Sequence, residues 1–200
     1  MLRNLLIPLF ILVLSCQQPE KTVSESRSLT INDEVSWNIT LPDGWEVTSS
    51  QEIKRLQERG EKAMTEALGT EIETSHESLV TINKGPFNSL MANRQVYDLA
   101  TDGPYESTQQ ATFEAILETY RNQGIRFDHE LGVDTIGGFV FQTLSTTLYA
   151  PNQDKVILNQ LIWDRLFEDY SLLINVNYNN EEDRETLVDL VVNSTFTEGE

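Results

Sequence analysis

Glu73, His76 and Glu77 have the spacing that brings three metal-ligating side chains onto one face of a helix. Carboxylates and imidazole are suitable ligands for a transition metal. The intervening Thr74 and Ser75, and the lack of an apolar stripe around them, favour a solvated acidic segment instead. We therefore expect no metal site.

A second group, Asp128, His129 and Glu130, would suit acid–base catalysis if its three side chains converged. On a strand, successive side chains point to opposite faces, so His129 would lie apart from both carboxylates. It would share a face with Phe127 and Leu131, and we expect a partly buried histidine with a structural hydrogen bond. The chain has only two histidines, which leaves few routes to a His-based triad. We predict that the protein is not an enzyme.

A third group consists of polar side chains at every second position of two predicted strands, interleaved with apolar ones. If the sheet is covered on both faces, such rows would line a groove suited to a sugar, a peptide or another small polar ligand. If the face is open to water, the rows are a solvated strand surface. The rows contain Thr143 and Ser145 on one strand and Asn175 and Asn177 on the other, and Trp163 and Arg165, on the strand before the asparagine row, could join the same ligand or partner face.

The only cysteine, Cys16, ends an apolar N-terminal segment. Residues 5–14 are uncharged and follow Arg3, which is typical of a secretory signal peptide. The run is too short to cross a bilayer, which takes about 20 apolar residues. The sequence VLSC at residues 13–16 resembles the lipobox of bacterial lipoproteins. That resemblance implies thioether lipidation of Cys16, cleavage after Ser15 and acylation of the new N-terminus, for example with palmitate.

The chain divides into three predicted regions. Residues 1–15 form the lipoprotein signal peptide, residues 16–28 the lipidated cysteine with a flexible tether, and residues 29–197 a single domain. The tether prediction depends on its Gln, Pro, Glu, Ser and Thr content. Gln17, rather than Asp, after the lipidated cysteine favours the outer membrane over the inner membrane.

The strongly acidic composition limits the partners of the protein. Fourteen basic and 32 acidic residues give a net charge of −18. Such a surface repels nucleic acid, so we predict no nucleic-acid binding. The same charge would keep the protein soluble or attract a basic partner or divalent cations.

Apolar periodicity predicts the elements that position these residues. Alternation at period two indicates strands, and stripes at helical spacing indicate helices. The predicted strands are residues 35–41, 79–83, 125–131, 139–149, 156–167 and 172–178, and the predicted helices are residues 49–68, 107–124 and 179–194. Residues 89–98 fit either state. This order predicts an α+β fold in which helices pack on a mainly antiparallel sheet.

Several of these segments resemble the PsbP-like (DcrB-like) domain family. The stretch WNITLPDGW at residues 37–45 resembles its opening strand, and VNSTF at residues 192–196 resembles its ending. The resemblance covers about residues 29–196. It implies an α/β/α sandwich, with a central mainly antiparallel sheet and helices on both faces. It also implies no shared catalytic residue and no cofactor. Residues 69–78 depart from the pattern, because that segment is longer and more acidic than expected.

These observations lead to an expectation about function. We expect a lipid-anchored, non-catalytic accessory or partner-binding protein of the bacterial cell envelope, held at the membrane through Cys16 and contacting an envelope protein. The alternative is a lipoprotein that binds a small polar ligand such as a sugar or a peptide. An envelope hydrolase is the third possibility, and it would require an acid–base cluster that the sequence does not display.

Overall fold

The computed structural model describes residues 25–32, 34–49, 51–55, 58 and 76–198. Residues 51–55 are helical, and Ser49 Oγ accepts a hydrogen bond from the Glu52 N–H at 3.3 Å, as its capping pattern predicts. The strands are β1 (Glu25–Thr30), β2 (Val35–Leu41), β3 (Glu46–Val47), β4 (His76–Lys84), β5 (Asn88–Val96), β6 (Phe127–Ile136), β7 (Phe139–Tyr149), β8 (Val156–Phe167), β9 (Tyr170–Tyr178) and β10 (Thr195–Glu198). The helices labelled here are α1 (Leu99–Asp102), α2 (Tyr105–Asn122) and α3 (Glu181–Val192).

The strands form two antiparallel sheets. The larger has the order β3-β4-β5-β9-β8-β7-β6, and the smaller has the order β1-β2-β10. In the larger sheet, β6 to β9 form a meander of consecutive hairpins, as the alternating pattern of this region predicts. The segment that fits either state, residues 89–98, belongs largely to strand β5.

The larger sheet is covered on both faces. On one face, α3 packs through Leu187 against a core that includes Trp163 and Ile174. On the other, α2 packs through Phe113 and Leu117 on a smaller core. Neighbouring residues of β8 therefore enter different cores, Ile162 under α2 and Trp163 under α3. The predicted fold class, α+β with a central mainly antiparallel sheet and helices on both faces, is confirmed.

The first strand corrects the predicted boundary between tether and domain. Residues 25–28 were expected in the flexible tether, but they belong to β1, whose register pairs Glu25 with Leu41 and Thr30 with Ser36. Most of β1 is polar and exposed. Its extended conformation is stabilised by backbone pairing with β2 rather than by burial, and for that reason the composition gave no sign of it.

The helix starts agree with the sequence in one case and differ in the other. Helix α3 begins after Asn180, whose Oδ1 accepts the Asp183 N–H at 2.9 Å, as its polar start predicts. Helix α2 begins at Tyr105 after Pro104, two residues before the start that the sequence pattern predicted at Ser107. The fixed backbone angle of proline organises this start without a side-chain cap.

Candidate functional site

A cavity of about 330 Å³ lies between the N-terminal half of α2 and the sheet. It falls within the size range of small-molecule sites. Its floor is formed by β4, β5, β8 and β9, which present polar or small side chains such as Asn93 and Ser171 on this face. Farther along α2, Phe113 and Leu117 close the helix onto the sheet through apolar packing. The cavity therefore opens where apolar residues give way to polar ones.

Asp164 is the central charged group of this cavity. The residue is 5% exposed, and its Oδ1 accepts a hydrogen bond from the Tyr105 hydroxyl at 2.7 Å. The Gln109 amide donates to the Asp164 main-chain carbonyl at 3.3 Å. Burial raises the pKa of the Asp164 carboxyl above its ordinary value of 3.8, and hydrogen bonds from Tyr105, Gln109 and the Arg165 backbone offset only part of that rise.

Tyr105 remains a hydrogen-bond donor over the whole physiological pH range. Burial raises the pKa of its phenol, and the nearby charge and hydrogen bond of Asp164 raise it further. Its ring packs edge-on against Tyr97, with ring centres 5.2 Å apart. The Tyr97 hydroxyl lies 2.9 Å from both the Gly103 carbonyl oxygen and Thr108 Oγ1, so it ties the α1–α2 turn to α2. Tyr105 is thus held in place from both sides.

The cavity contains two kinds of buried acceptor, the Asp164 carboxylate and an amide oxygen. Asn93 lines it, and the Asn93 Oδ1 atom is buried without a hydrogen-bond partner among the described residues. Asp102 adds a carboxylate to the lining. The lining cation Arg94 is engaged elsewhere, because its guanidinium binds Glu77 at 2.8 Å and the Ile31 carbonyl at 2.7 Å. Hydrogen-bond donors on a small molecule would complement this lining.

The six residues predicted to share a ligand face do not share one. Strand β8 lies between β7 and β9, with Trp163 opposite both Thr143 and Ile174, and Ile162 opposite Asn175. Asn175 and Asn177 consequently face the α2 side, whereas Thr143, Ser145, Trp163 and Arg165 face the α3 side. The two polar rows belong to opposite faces because the register across β8 fixes which residues point each way.

The residues on the α3 side make structural contacts. Trp163 is 1% exposed, and its Nε1 donates to Asp134 Oδ2 at 2.8 Å. Arg165 donates to the Val140 carbonyl at 2.7 Å, and its guanidinium lies over the rings of Phe139 and Phe167. Thr143 is buried and Ser145 is half-buried.

Of the two residues on the α2 side, Asn177 joins a hydrogen-bonded row across the sheet. Asn177 donates to Ser89 Oγ at 3.4 Å and accepts from Gln160 Nε2 at 3.3 Å. Tyr120 of α2 donates to Gln160 Oε1 at 3.0 Å. Asn175 Oδ1 is buried without a partner among the described residues, like that of Asn93. The polar rows therefore serve mainly to connect strands and helix.

The remaining candidate groups have different surroundings from those expected. His76 and Glu77 begin strand β4, where neighbouring side chains point to opposite faces, and Glu73 lies outside the described residues. His129 shares a face with Phe127, as predicted, with ring centres 5.9 Å apart, but it is exposed rather than partly buried. No cluster of three potential metal ligands occurs among the described residues. Cys16 also lies outside them.

The sequence interpretation did not identify the cavity residues. The available signal was Asp164, a charged residue at a position inside the long apolar strand β8. A carboxylate in such a run requires partners or a cavity. Tyr105 and Gln109 gave no comparable signal, since tyrosine and glutamine are ordinary on the first turns of a helix.

The described part of the chain contains no helix that is both long and apolar enough to span a membrane. No protein-family model matches the sequence. No curated protein matches it either. Among solved structures, the fold is similar to the solution structure of cyanobacterial PsbP (CyanoP) from Synechocystis sp. PCC 6803. The two share 14% sequence identity over 82% of this chain and 86% of that chain, with a TM-score of 0.46. This similarity concerns the fold and carries no argument about function.

Proposed function

We propose that this protein is a lipid-anchored, non-catalytic binding protein of the bacterial cell envelope that holds a small, donor-rich polar ligand in the cavity under α2. The observation that carries the proposal is the buried Asp164 carboxylate, which shares that cavity with Asn93 Oδ1, an acceptor without a partner among the residues that the structure describes. Both groups accept hydrogen bonds. The hydroxyls of a sugar or the ammonium group of an amine or peptide supply matching donors.

Two features support binding rather than hydrolysis. The Asp164 carboxylate is engaged by Tyr105, a phenol that stays protonated. Neither His76 nor His129 is hydrogen-bonded to a carboxylate or hydroxyl in the described ranges, so neither histidine is placed to activate a nucleophile there. A hydrolase remains the competing function, and it would show itself as turnover of a bound compound.

The lipid anchor and the location are proposed from the sequence. The apolar segment of residues 5–14, followed by the VLSC pattern, supports lipidation of Cys16. Gln17 supports transfer to the outer membrane. Metabolic labelling with an alkyne-bearing palmitate analogue in a Gram-negative host tests this directly. Labelled protein should partition with the outer membrane, and Cys16→Ser should remove both the label and the partitioning.

Ligand binding is tested by the shift in Tm that monosaccharides, amino acids and polyamines each produce. A compound that binds the folded state raises Tm in a concentration-dependent manner. Asp164→Asn should abolish the shift for that compound. Asp128→Asn is the matched control, because Asp128 also accepts a tyrosine hydroxyl at 2.7 Å, from Tyr149, but on the exposed surface. Equal loss in both variants, no shift with any compound, or turnover would contradict the proposal.

A further inference from the structure

Strand β6 is an edge strand of the larger sheet. Among the strands that the structure describes, it lies at the end of the order, next to β7 alone. Its ten residues pair with β7 in continuous register, without a bulge. Within the described ranges, its backbone makes no other hydrogen bond. Alternate N–H and C=O groups of β6 therefore point outward, away from the sheet, and can pair with another extended chain.

The two faces of β6 differ in chemistry. On the α2 side, Leu131 and Val133 are 61% and 59% exposed, and Val140 of β7 extends this surface at 49% exposed. On the α3 side, the exposed residues Asp128, Glu130 and Asp134 follow one another at alternate positions apart from Gly132. In the described part of the chain, none of these three carboxylates lies within 4.0 Å of a basic side chain. The middle of one face, between His129 and Thr135, is thus apolar, and the other face is acidic.

This edge has only part of the usual protection against strand addition, namely exposed acidic side chains. Proteins commonly protect an edge with lysine, proline or a bulge, and the β6 sequence FDHELGVDTI has none of these. A second copy is a poor occupant. Antiparallel pairing about Gly132 would set Glu130 opposite Asp134 of the other copy, and like charges in that position repel. The net charge of −18 opposes self-association as well.

We propose that β6 is the docking edge for an extended, basic segment of an envelope protein, which adds to the larger sheet as a further strand. Backbone hydrogen bonds to β6 supply the affinity of such a contact. Apolar side chains at alternate positions of the segment cover Leu131 and Val133, while lysine or arginine between them faces Asp128, Glu130 and Asp134. This surface is separate from the cavity and goes beyond the proposed ligand binding.

The experiment uses the full chain and two short probe peptides of identical composition. One alternates valine with lysine, and the other carries its valines and lysines in separate blocks. Fluorescence anisotropy measures each Kd, and amide hydrogen exchange identifies the strand that becomes protected. The alternating peptide should bind more tightly, should protect the outward amides of β6, and should bind more weakly as salt increases.

Charge reversal at each edge of the sheet distinguishes binding at β6 from nonspecific attraction of the basic peptide to the acidic protein. Glu130→Lys should weaken binding of the alternating peptide by about fivefold or more. Glu46→Lys is the matched control, because Glu46 is exposed on β3, the opposite edge strand, and the change in net charge is the same. Leu131→Ser should also weaken binding without altering the response to salt, since it removes only apolar contact.

Several results would overturn this proposal. Equal binding of the two peptides would show that charge alone is recognised. Equal effects of Glu130→Lys and Glu46→Lys, or protection confined to strands other than β6, would place the contact elsewhere. Concentration-dependent self-association that protects the β6 amides would identify a second copy as the occupant.

Discussion

The hydroxyl of Tyr105 donates to Oδ1 of Asp164 at 2.7 Å across 59 positions of sequence, and this contact joins the first turn of α2 to the middle of β8. It is the polar counterpart of the apolar contact that Phe113 and Leu117 make farther along the helix. One end of α2 is therefore held by packing and the other by a buried carboxylate, with the cavity beside it.

The buried carboxylate gives a prediction for the pH dependence of stability. Because the pKa of Asp164 is higher in the folded chain than its ordinary 3.8, the folded state binds the proton more tightly. The free energy of unfolding should therefore fall as pH rises from 3.8 through the raised value. Asp164→Asn cannot titrate, so wild type should lose stability relative to this variant over that window.

Urea unfolding between about pH 3.5 and pH 7 measures that difference. Tyr105→Phe is an informative second variant, because it removes a hydrogen bond that lowers the Asp164 pKa. It should make the decline of stability with rising pH steeper. A difference between wild type and Asp164→Asn that stays constant with pH would contradict the prediction.

The stabilisation from the ion pair between Lys84 and Asp183 should depend on pH in the opposite direction, decreasing as the pH falls. Lys84 Nζ lies 2.7 Å from Asp183 Oδ1, and Asp183 is 4% exposed. Burial raises the pKa of Asp183, but hydrogen bonds from Lys84 and Asn180 and the charge of Lys84 outweigh it, so the pKa lies below 3.8. The stabilisation is complete above 3.8 and is lost as pH falls through the lowered value.

Asp183→Asn should accordingly lower Tm at pH 7, and the deficit should shrink below pH 3.8. Glu182→Gln is the control, since Glu182 lies 3.8 Å from Lys84 but its side chain is 87% exposed. Exposed pairs of this kind contribute little, so its Tm should stay close to that of wild type. Equal deficits in the two variants would show that Asp183 has no special role.

Trp163 should prove structural rather than ligand-binding. Trp163→Phe removes the hydrogen bond from Nε1 to Asp134 Oδ2 and leaves unfilled volume in the α3-side core. The free energy of unfolding should fall by about 1–3 kcal/mol. Any ligand-induced gain in Tm should persist, because Trp163 points away from the cavity. Unchanged stability combined with lost ligand response would restore the ligand role expected from sequence.

The two glycines of the β6–β7 turn should respond differently to alanine. Gly137 and Gly138 both have positive φ, at 55° and 87°, where a side chain is strained. At Gly137, an added Cβ would also lie 2.8 Å from Phe196 Cδ2 and 3.2 Å from its backbone N, whereas at Gly138 it would meet nothing within 4 Å.

Gly138→Ala should cost about 1 kcal/mol from backbone strain alone. Gly137→Ala should cost more than that, because β10 has to shift as well. Urea unfolding measures the free energy of unfolding of both variants, and the difference between them isolates the contact with Phe196. Equal losses would mean that Phe196 moves aside freely.

Local sequence patterns were sufficient to predict the bounds of several strands. They were not sufficient to predict how the strands pair. The predicted bounds of β2, β7 and β8 agree with the structure because a half-buried strand alternates by necessity. The division of Asn175 and Thr143 between opposite faces depends on the register across β8, a long-range property that no local pattern encodes.

The cavity was beyond prediction for a related reason. Its residues come from α2 and from strands that are distant in sequence. The proximity of Asp164 and Asn93 in one cavity therefore cannot be predicted until the sheet order is known. Asp164 could be noticed as a charge within an apolar strand. Asn93 could not, because an asparagine on a half-buried strand is unremarkable until its carbonyl oxygen proves to lack a partner.

The position of β1 has a mechanical consequence. The chain that precedes Glu25 enters the small sheet directly as β1, and six register pairs join this strand to β2. Because Glu25 lies opposite Leu41 and Glu198 lies opposite Val35, the outer ends of β1 and β10 lie at opposite ends of β2, and a force that pulls these two ends apart acts on the strand pairs in shear. Strand β10 binds the other edge of β2, which adds resistance from the opposite end of the chain. The register pairs on both sides of β2 would share such a force instead of opening one after another.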